Sequence, residues 1–141
     1  AGPITTGSAA VAPHKEAHMT RNRASAKAAG TRFERLIADH LAASLDDDRI
    51  DRRAKTGAKD RGDIAGLRHM GSRVVVECKD YGGRLQPGDW TRQAQIEAGN
   101  DDACCGLVVA KRRGNTHPGS QWVLMTLDDL IGLLTGQAVE R

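Results

Sequence analysis

Aromatic side chains are nearly missing from this chain: its 141 residues include one Phe, one Tyr and two Trp, 3% in all. So small a supply excludes a surface that binds single strands by stacking many bases on aromatic rings. Long apolar runs are also missing, and none approaches the roughly 20 residues that span a bilayer. The three cysteines, Cys78, Cys104 and Cys105, are odd in number and two are adjacent. That count and spacing suit neither a disulfide framework nor a zinc site. They lie in apolar stretches and read as small core hydrophobes in a reducing compartment.

The rest of the composition is that of an ordinary folded domain, with 39% hydrophobic and 28% charged residues. The length suits one domain with a single core. Residues 1–18 differ from the rest, being small, Gly-, Pro- and Thr-containing and without apolar periodicity. His18-Met19 resembles a cloning junction, so residues 1–18 are expected to be a tag or linker remnant, irregular in structure, and 19–141 the single domain.

The net charge of +3 is unevenly spread. Arg49 to Arg61 contains six basic and two acidic residues, so this stretch alone carries +4 and the remainder sums to −1. Lys111-Arg112-Arg113 is a second basic cluster. Local basic patches of this kind attract phosphate backbones more than the total charge does.

Apolar spacing predicts a helix from about Ala24 to Ser44, with Phe33, Leu36, Ile37, Leu41 and Leu45 as its stripe and Glu34 beside it. Arg49–Thr56 alternates loosely and suits an edge strand. After a basic turn at Gly57–Gly62, Asp63–Leu67 and Arg73–Lys79 are expected to pair as a hairpin across Gly71-Ser72. Pro87-Gly88-Asp89 starts a second helix running to about Ala98, stopped by Gly99-Asn100. Cys104–Ala110 reads as a strand buried on both faces. A strand at Gln121–Met125 comes next, then a helix over Leu127–Leu134 capped by Thr126. A helix joining two strands is a crossover, which implies a parallel pair and an α/β sandwich.

The segment Val74-Val75-Val76-Glu77-Cys78-Lys79 ends an apolar strand with two charges. Alternation places Glu77 and Lys79 on one face, and charges at such a buried tip need partners or a task. Asp63 on the paired strand would complete an Asp, Glu, Lys cluster. Asp60 competes with it, but Gly62 permits close approach and an apolar strand begins directly after Asp63. Two adjoining carboxylates, with a backbone carbonyl such as that of Cys78, suit Mg2+, and Mn2+ as a substitute. Such an ion activates water and polarises a phosphate, and Lys79 could orient the water or balance charge. His69 and His117 read as surface turn residues, and Trp90 and Trp122 as core or interface.

Gly62-Asp63 and Glu77-Cys78-Lys79, coming after a helix that contains Glu34, resemble the PD-(D/E)XK nuclease superfamily. Gly30-Thr31-Arg32-Phe33-Glu34 is similar to the helix motif of its small archaeal and phage Holliday junction resolvases. The resemblance covers about Gly30 to Arg113. It implies a restriction-endonuclease-like αβββαβ core with a central mixed sheet flanked by helices, and Glu34, Asp63, Glu77 and Lys79 as the active-site set. A helix Gln is common further along these nucleases, and Gln93 is the best match, with Gln95 behind it. The RecB-like motif ends in Tyr where this chain has Glu97, which argues against that branch.

The resemblance implies a Mg2+-dependent endonuclease acting on branched DNA, with four-way junctions as the expected substrate. Paired incision implies a homodimer. Arg52, Arg53, Lys55, Lys59 and Arg61 are the first expected backbone contacts, and Lys111, Arg112 and Arg113 the second. No membrane or small-molecule cofactor is expected, and the location would be the cytoplasm of a bacterial or phage-infected cell. Other small endonucleases of the superfamily, and a catalytically silent DNA-binding module, are the alternatives. The dimer surface is expected at an apolar patch including Trp90 or the last helix.

Overall fold

A computed structural model describes residues 22–55 and 57–141. The tag or linker assignment of residues 1–18 lies outside them, as does Thr56 at the end of the expected first strand. Among the described residues the fold is α/β, with three α-helices and a six-stranded mixed sheet.

The first helix, α1, runs Arg23–Ser44. The side chain of Asn22 caps it, accepting from the Ser25 amide at 2.8 Å. Its buried face is Ala29, Phe33, Ile37 and Ala38. The stripe therefore sits slightly to one side of the expected one: Leu36 is partly exposed, and Leu45 is past the helix end and 55% exposed.

Two short strands come after it, β1 at Asp51–Arg52 and β2 at Ile64–Ala65, paired antiparallel. The expected Asp63–Leu67 strand is interrupted after Ala65, and β3 (Arg68–His69) resumes pairing. It turns through Met70 and Gly71, both at positive φ as a two-residue hairpin requires, into β4 (Ser72–Lys79). Strands β2 and β3 both pair antiparallel with β4, as the hairpin expected from the Gly71-Ser72 connection requires.

Helix α2 (Pro87–Asn100) carries the chain to β5 (Cys105–Ala110), which lies parallel to β4 from Val74↔Cys105 to Lys79↔Ala110. After a short 3-10 turn at Pro118–Ser120, β6 (Trp122–Leu124) adds antiparallel to β5 as an edge. Thr126 then caps α3 (Leu127–Thr135). The sheet order is β1-β2-β4-β5-β6, with β3 beside β4.

The alternation of β4 divides the core. Val76 packs with Phe33, Ile37, Ile50, Ile64 and Val109 on the α1 side. Val75 packs with Ala98 and Ala103 on the α2 side, where Trp90, Ala94, Val108 and Ala110 form a neighbouring cluster. Helix α2 can lie this close because β5 has Gly106 where a Cβ would run into the Ala94 carbonyl. Val74, Cys104 and Cys105 form a third group with Leu133 of α3. All three cysteines are free thiols, as expected of core hydrophobes.

Candidate active site

The antiparallel run that pairs Ile64 with Val76 brings Asp63 alongside Glu77 one residue further on. Gly62 makes this approach possible. Its φ is +92°, and a Cβ there would lie 2.9 Å from Val75 Cγ1 and 3.0 Å from the Val76 oxygen. The Asp63 amide then donates to the Val76 carbonyl at 2.9 Å. The Asp63 carboxylate takes over part of the ladder: Oδ2 accepts from the Cys78 amide at 2.8 Å and Oδ1 from Lys55 Nζ at 3.1 Å.

Glu77 and Lys79 face α2, the side opposite α1. Lys79 Nζ donates to Gln93 Oε1 at 2.8 Å. Gln93 Nε2 donates to Glu97 Oε1 at 3.0 Å and weakly, at 3.4 Å, to Glu77 Oε2. This amide orientation satisfies both sides, its oxygen facing an ammonium and its nitrogen facing two carboxylates. Asp63, Glu77, Lys79 and Gln93, all candidates from the sequence, are thus brought together at one end of β4.

Glu97 is a site residue that the sequence reading missed. It is 2% exposed, and an oxygen of its carboxylate lies with one from Asp60 and one from Glu77 within 4.8 Å of one another. Its signal was its place four residues after Gln93, hence on the same face of α2, which a plain helix surface would also explain. Asp60, ranked below Asp63 in the sequence, is part of this group. Its Oδ1 accepts from the Gly62 amide at 2.9 Å, and Asn100 Nδ2 donates to its carbonyl at 2.7 Å, pinning the loop to α2.

Three carboxylates are buried here, since Asp63 is 3% and Glu77 5% exposed. Two ionised carboxylates 4–5 Å apart repel by roughly 3–4 kcal/mol at an effective dielectric of about 20. Glu77 avoids this by keeping a proton. Burial, then the proton shared with Asp63 and Glu97 and their negative charge, push it up to about 12. Glu97 is raised mainly by burial, against the bonds from Glu77 and Gln93. Burial pushes Asp63 up too, but the bonds from Glu77, the Cys78 amide and Lys55 outweigh it and hold Asp63 below its ordinary value.

Glu34 reaches the other side of this group and is raised by burial and by the Asp63 charge. Its carboxylate is bound by Arg52, at 3.1 Å from Nε and 3.0 Å from Nη2. Cys78 enters through its amide on Asp63, while its thiol points into the α1 core and is raised by burial. Its carbonyl, between Glu77 and Lys79 on β4, remains the expected backbone ligand.

The basic residues divide by what already holds them. Arg52 is tied to Glu34, and Arg53 to Asp101 at 3.1 Å. Lys59 and Arg61 are exposed and line, with Lys55, a cleft of about 250 Å3 beside Asp63. Lys111 bonds the Asn115 carbonyl, Arg112 lies 4.3 Å over the Trp122 ring, and Arg113 Nε is 3.5 Å from the Gly82 carbonyl. His69 and His117 are exposed, as expected. Trp90 is 4% exposed and tilted against Tyr81, which removes it from any dimer surface. Helix α3 does expose Leu127, Leu130, Ile131 and Leu134.

Compared with known protein families, curated proteins and solved structures, the chain matches none of them. Among the described residues, no helix is long and apolar enough to cross a membrane.

Proposed function

We propose that this protein is a metal-dependent endonuclease that cuts branched DNA, with four-way junctions as its substrate and a restriction-endonuclease-like core as its scaffold. The observation that carries the reading is the convergence of Asp63, Glu77, Lys79 and Gln93 at one end of β4. Buried carboxylates in contact with an ammonium and an amide cluster more often at working sites than in plain cores.

The residues fit a hard divalent cation such as Mg2+ or Mn2+. Asp63 already attracts one cation, the Lys55 ammonium, and Glu77 stays neutral for want of another. Asp63, Glu77 and the Cys78 carbonyl would hold the ion, an all-oxygen set of the kind it prefers. When bound, it would polarise the scissile phosphate and acidify a water. Lys79, steadied by Gln93, keeps donors free to hold a phosphate oxygen or aim the attacking water. Lys55, Lys59 and Arg61 would line the path of the DNA backbone, and Lys111 to Arg113 its far side. Two such sites in a homodimer would serve the two strands of a junction, and the cytoplasm would be the working location.

The test incubates the protein with labelled four-way junction, flap and duplex DNA, with Mg2+ or with chelator. Paired symmetric nicks in the junction alone, dependent on Mg2+, are expected. Equal cutting of duplex or flap would replace the resolvase with another small endonuclease. Junction binding with no cutting under any metal would leave a DNA-binding module. Asp63→Asn, Glu77→Gln and Lys79→Ala are each expected to abolish cutting while junction binding persists in a mobility-shift assay.

A further inference from the structure

We propose that the cleft at the start of β4, lined by Arg53, Arg68 and Arg73, is an anion site that takes a backbone phosphate of the bound DNA. This rests on the nuclease reading for the source of the phosphate; the affinity for an anion is argued from the guanidinium groups alone.

The charges at this cleft are out of balance. Strands β3 and β4 set Arg68 directly across from Arg73, and like charges at facing positions of a ladder repel. Arg53 joins them in lining a cleft of about 200 Å3, where Asp101 is the one carboxylate. Three positive charges thus meet one negative charge, a surplus of two. Arg53 Nη2 already holds the Asp101 carboxylate at 3.1 Å. Among the described residues Arg68 and Arg73 form no ion pair, and Arg73 Nη1 donates only to the Asp101 carbonyl, at 3.2 Å. That carbonyl caps the C-terminus of α2, whose dipole supplies roughly half a negative charge, less than the surplus.

A second sign is a donor without an acceptor. Arg53 Nε is buried and has no hydrogen-bond partner, although the side chain as a whole keeps 23% of its surface exposed. A buried donor left unpaired is costly, and an oxyanion drawn into the cleft removes that cost. Guanidinium forks match the oxygens of a phosphate in pairs, which suits three of them around one small cleft.

Position decides which anion. Arg53 also lines the cleft beside Asp63 that holds Lys55, Lys59 and Arg61, so the two basic clefts adjoin. By alternation Arg73 lies on the same face of β4 as Glu77 and Lys79. It precedes Glu77 by four residues, about 13 Å at the rise of a strand. One DNA strand advances about 3.4 Å per nucleotide, so the cleft meets a phosphate about four nucleotides from the bond being cut. A phosphate held there fixes the register of the DNA without reading its sequence.

The experiment records the arginine Nε–H signals of the 15N-labelled, full-length protein by nuclear magnetic resonance in chelator. Sodium phosphate is titrated in, with sodium chloride at equal ionic strength as the control, and four-way junction DNA is titrated separately. Saturable shifts of the Arg53 and Arg73 signals are expected with phosphate and with junction, and none with chloride. Changing Arg68→Gln and Arg73→Gln together should abolish the phosphate response and weaken junction binding at least tenfold. The slope of log affinity against log salt should fall by about 1–2. Both side chains are exposed, and with their repulsion gone the double variant should melt higher than wild type in chloride, which verifies its fold. No saturable shift with phosphate or junction overturns the site. Phosphate shifts with unchanged junction affinity in the double variant would make free phosphate the ligand and overturn DNA as its source. Junction cleavage by wild type in Mg2+ separates this inference from the nuclease reading. Shifts without cleavage would sink the nuclease and leave the site, whereas cleavage without shifts would do the reverse.

Discussion

Glu77 is the residue at which sequence and electrostatics conflict most. It is buried on the central strand β4, between two other carboxylates, and among the described residues no basic side chain pairs with it, so without a cation it holds a proton. Gln has the shape and hydrogen-bonding pattern of a protonated Glu. Glu77→Gln should therefore keep or raise stability at pH 8 in chelator, by about 1–2 kcal/mol in urea unfolding, while losing activity. Mg2+ is expected to raise the melting temperature of wild type, and the same variant should lose most of that rise. Gln93 acts one step away. It holds Lys79, and under the proposed reaction Gln93→Ala should lower kcat tenfold or more with little change in KM. Equal loss in both constants would instead mean that Gln93 binds DNA.

At the scale of elements, the contact between α2 and β5 sets the distance from Gln93 and Glu97 to Glu77. Gly106 leaves room for the Ala94 carbonyl, and the extra methyl of Gly106→Ala must push the helix away. A cost of about 1–3 kcal/mol is expected by urea unfolding, with activity falling further than that loss predicts. Much of this framework was legible in the residues. Thr126 announced α3, Pro87 announced α2, and the apolar run of β4 announced the central strand, because each signal is local. The halves of the site differed in the same way. Gly62 and the alternation of β4 were enough to bring Asp63 to Glu77. Glu97 was not legible, since nothing local distinguishes a buried helix Glu from a solvated one. Nor was the tying of Arg52 to Glu34, which depends on how α1 crosses β1, a long-range outcome that no short pattern encodes.

For the whole molecule, the shifts set how stability depends on pH. Glu77 and Glu97 are raised, so their contribution is complete below the ordinary carboxylate range near 4.5. It is lost as pH climbs toward the folded value, at most about 1.4 kcal/mol per pH unit for one proton. Asp63 and Asp129 are lowered and act oppositely, stabilising above the ordinary range and failing as acid titrates the folded state. Thermal melts in chelator should therefore peak at mildly acidic pH, about 5, and decline toward alkaline pH. Saturating Mg2+ should flatten the alkaline side, since a bound cation replaces the proton on Glu77. A decline that Mg2+ leaves unchanged would count against cation binding at Glu77.

Asp129 carries a consequence of another kind. Fully buried, it accepts from Gln95 of α2, from Thr126, from the Gly106 amide of β5 and from Arg141 beyond α3. Burial alone would raise this carboxyl, and these bonds together hold it low and ionised. If α3 lifted alone, it would strand a buried anion or carry it away from the strand it caps. The last helix should then open only together with the start of β5. In hydrogen exchange, the amides of Gly106 and Leu130 would share one opening free energy, and the tail would behave as part of the sheet.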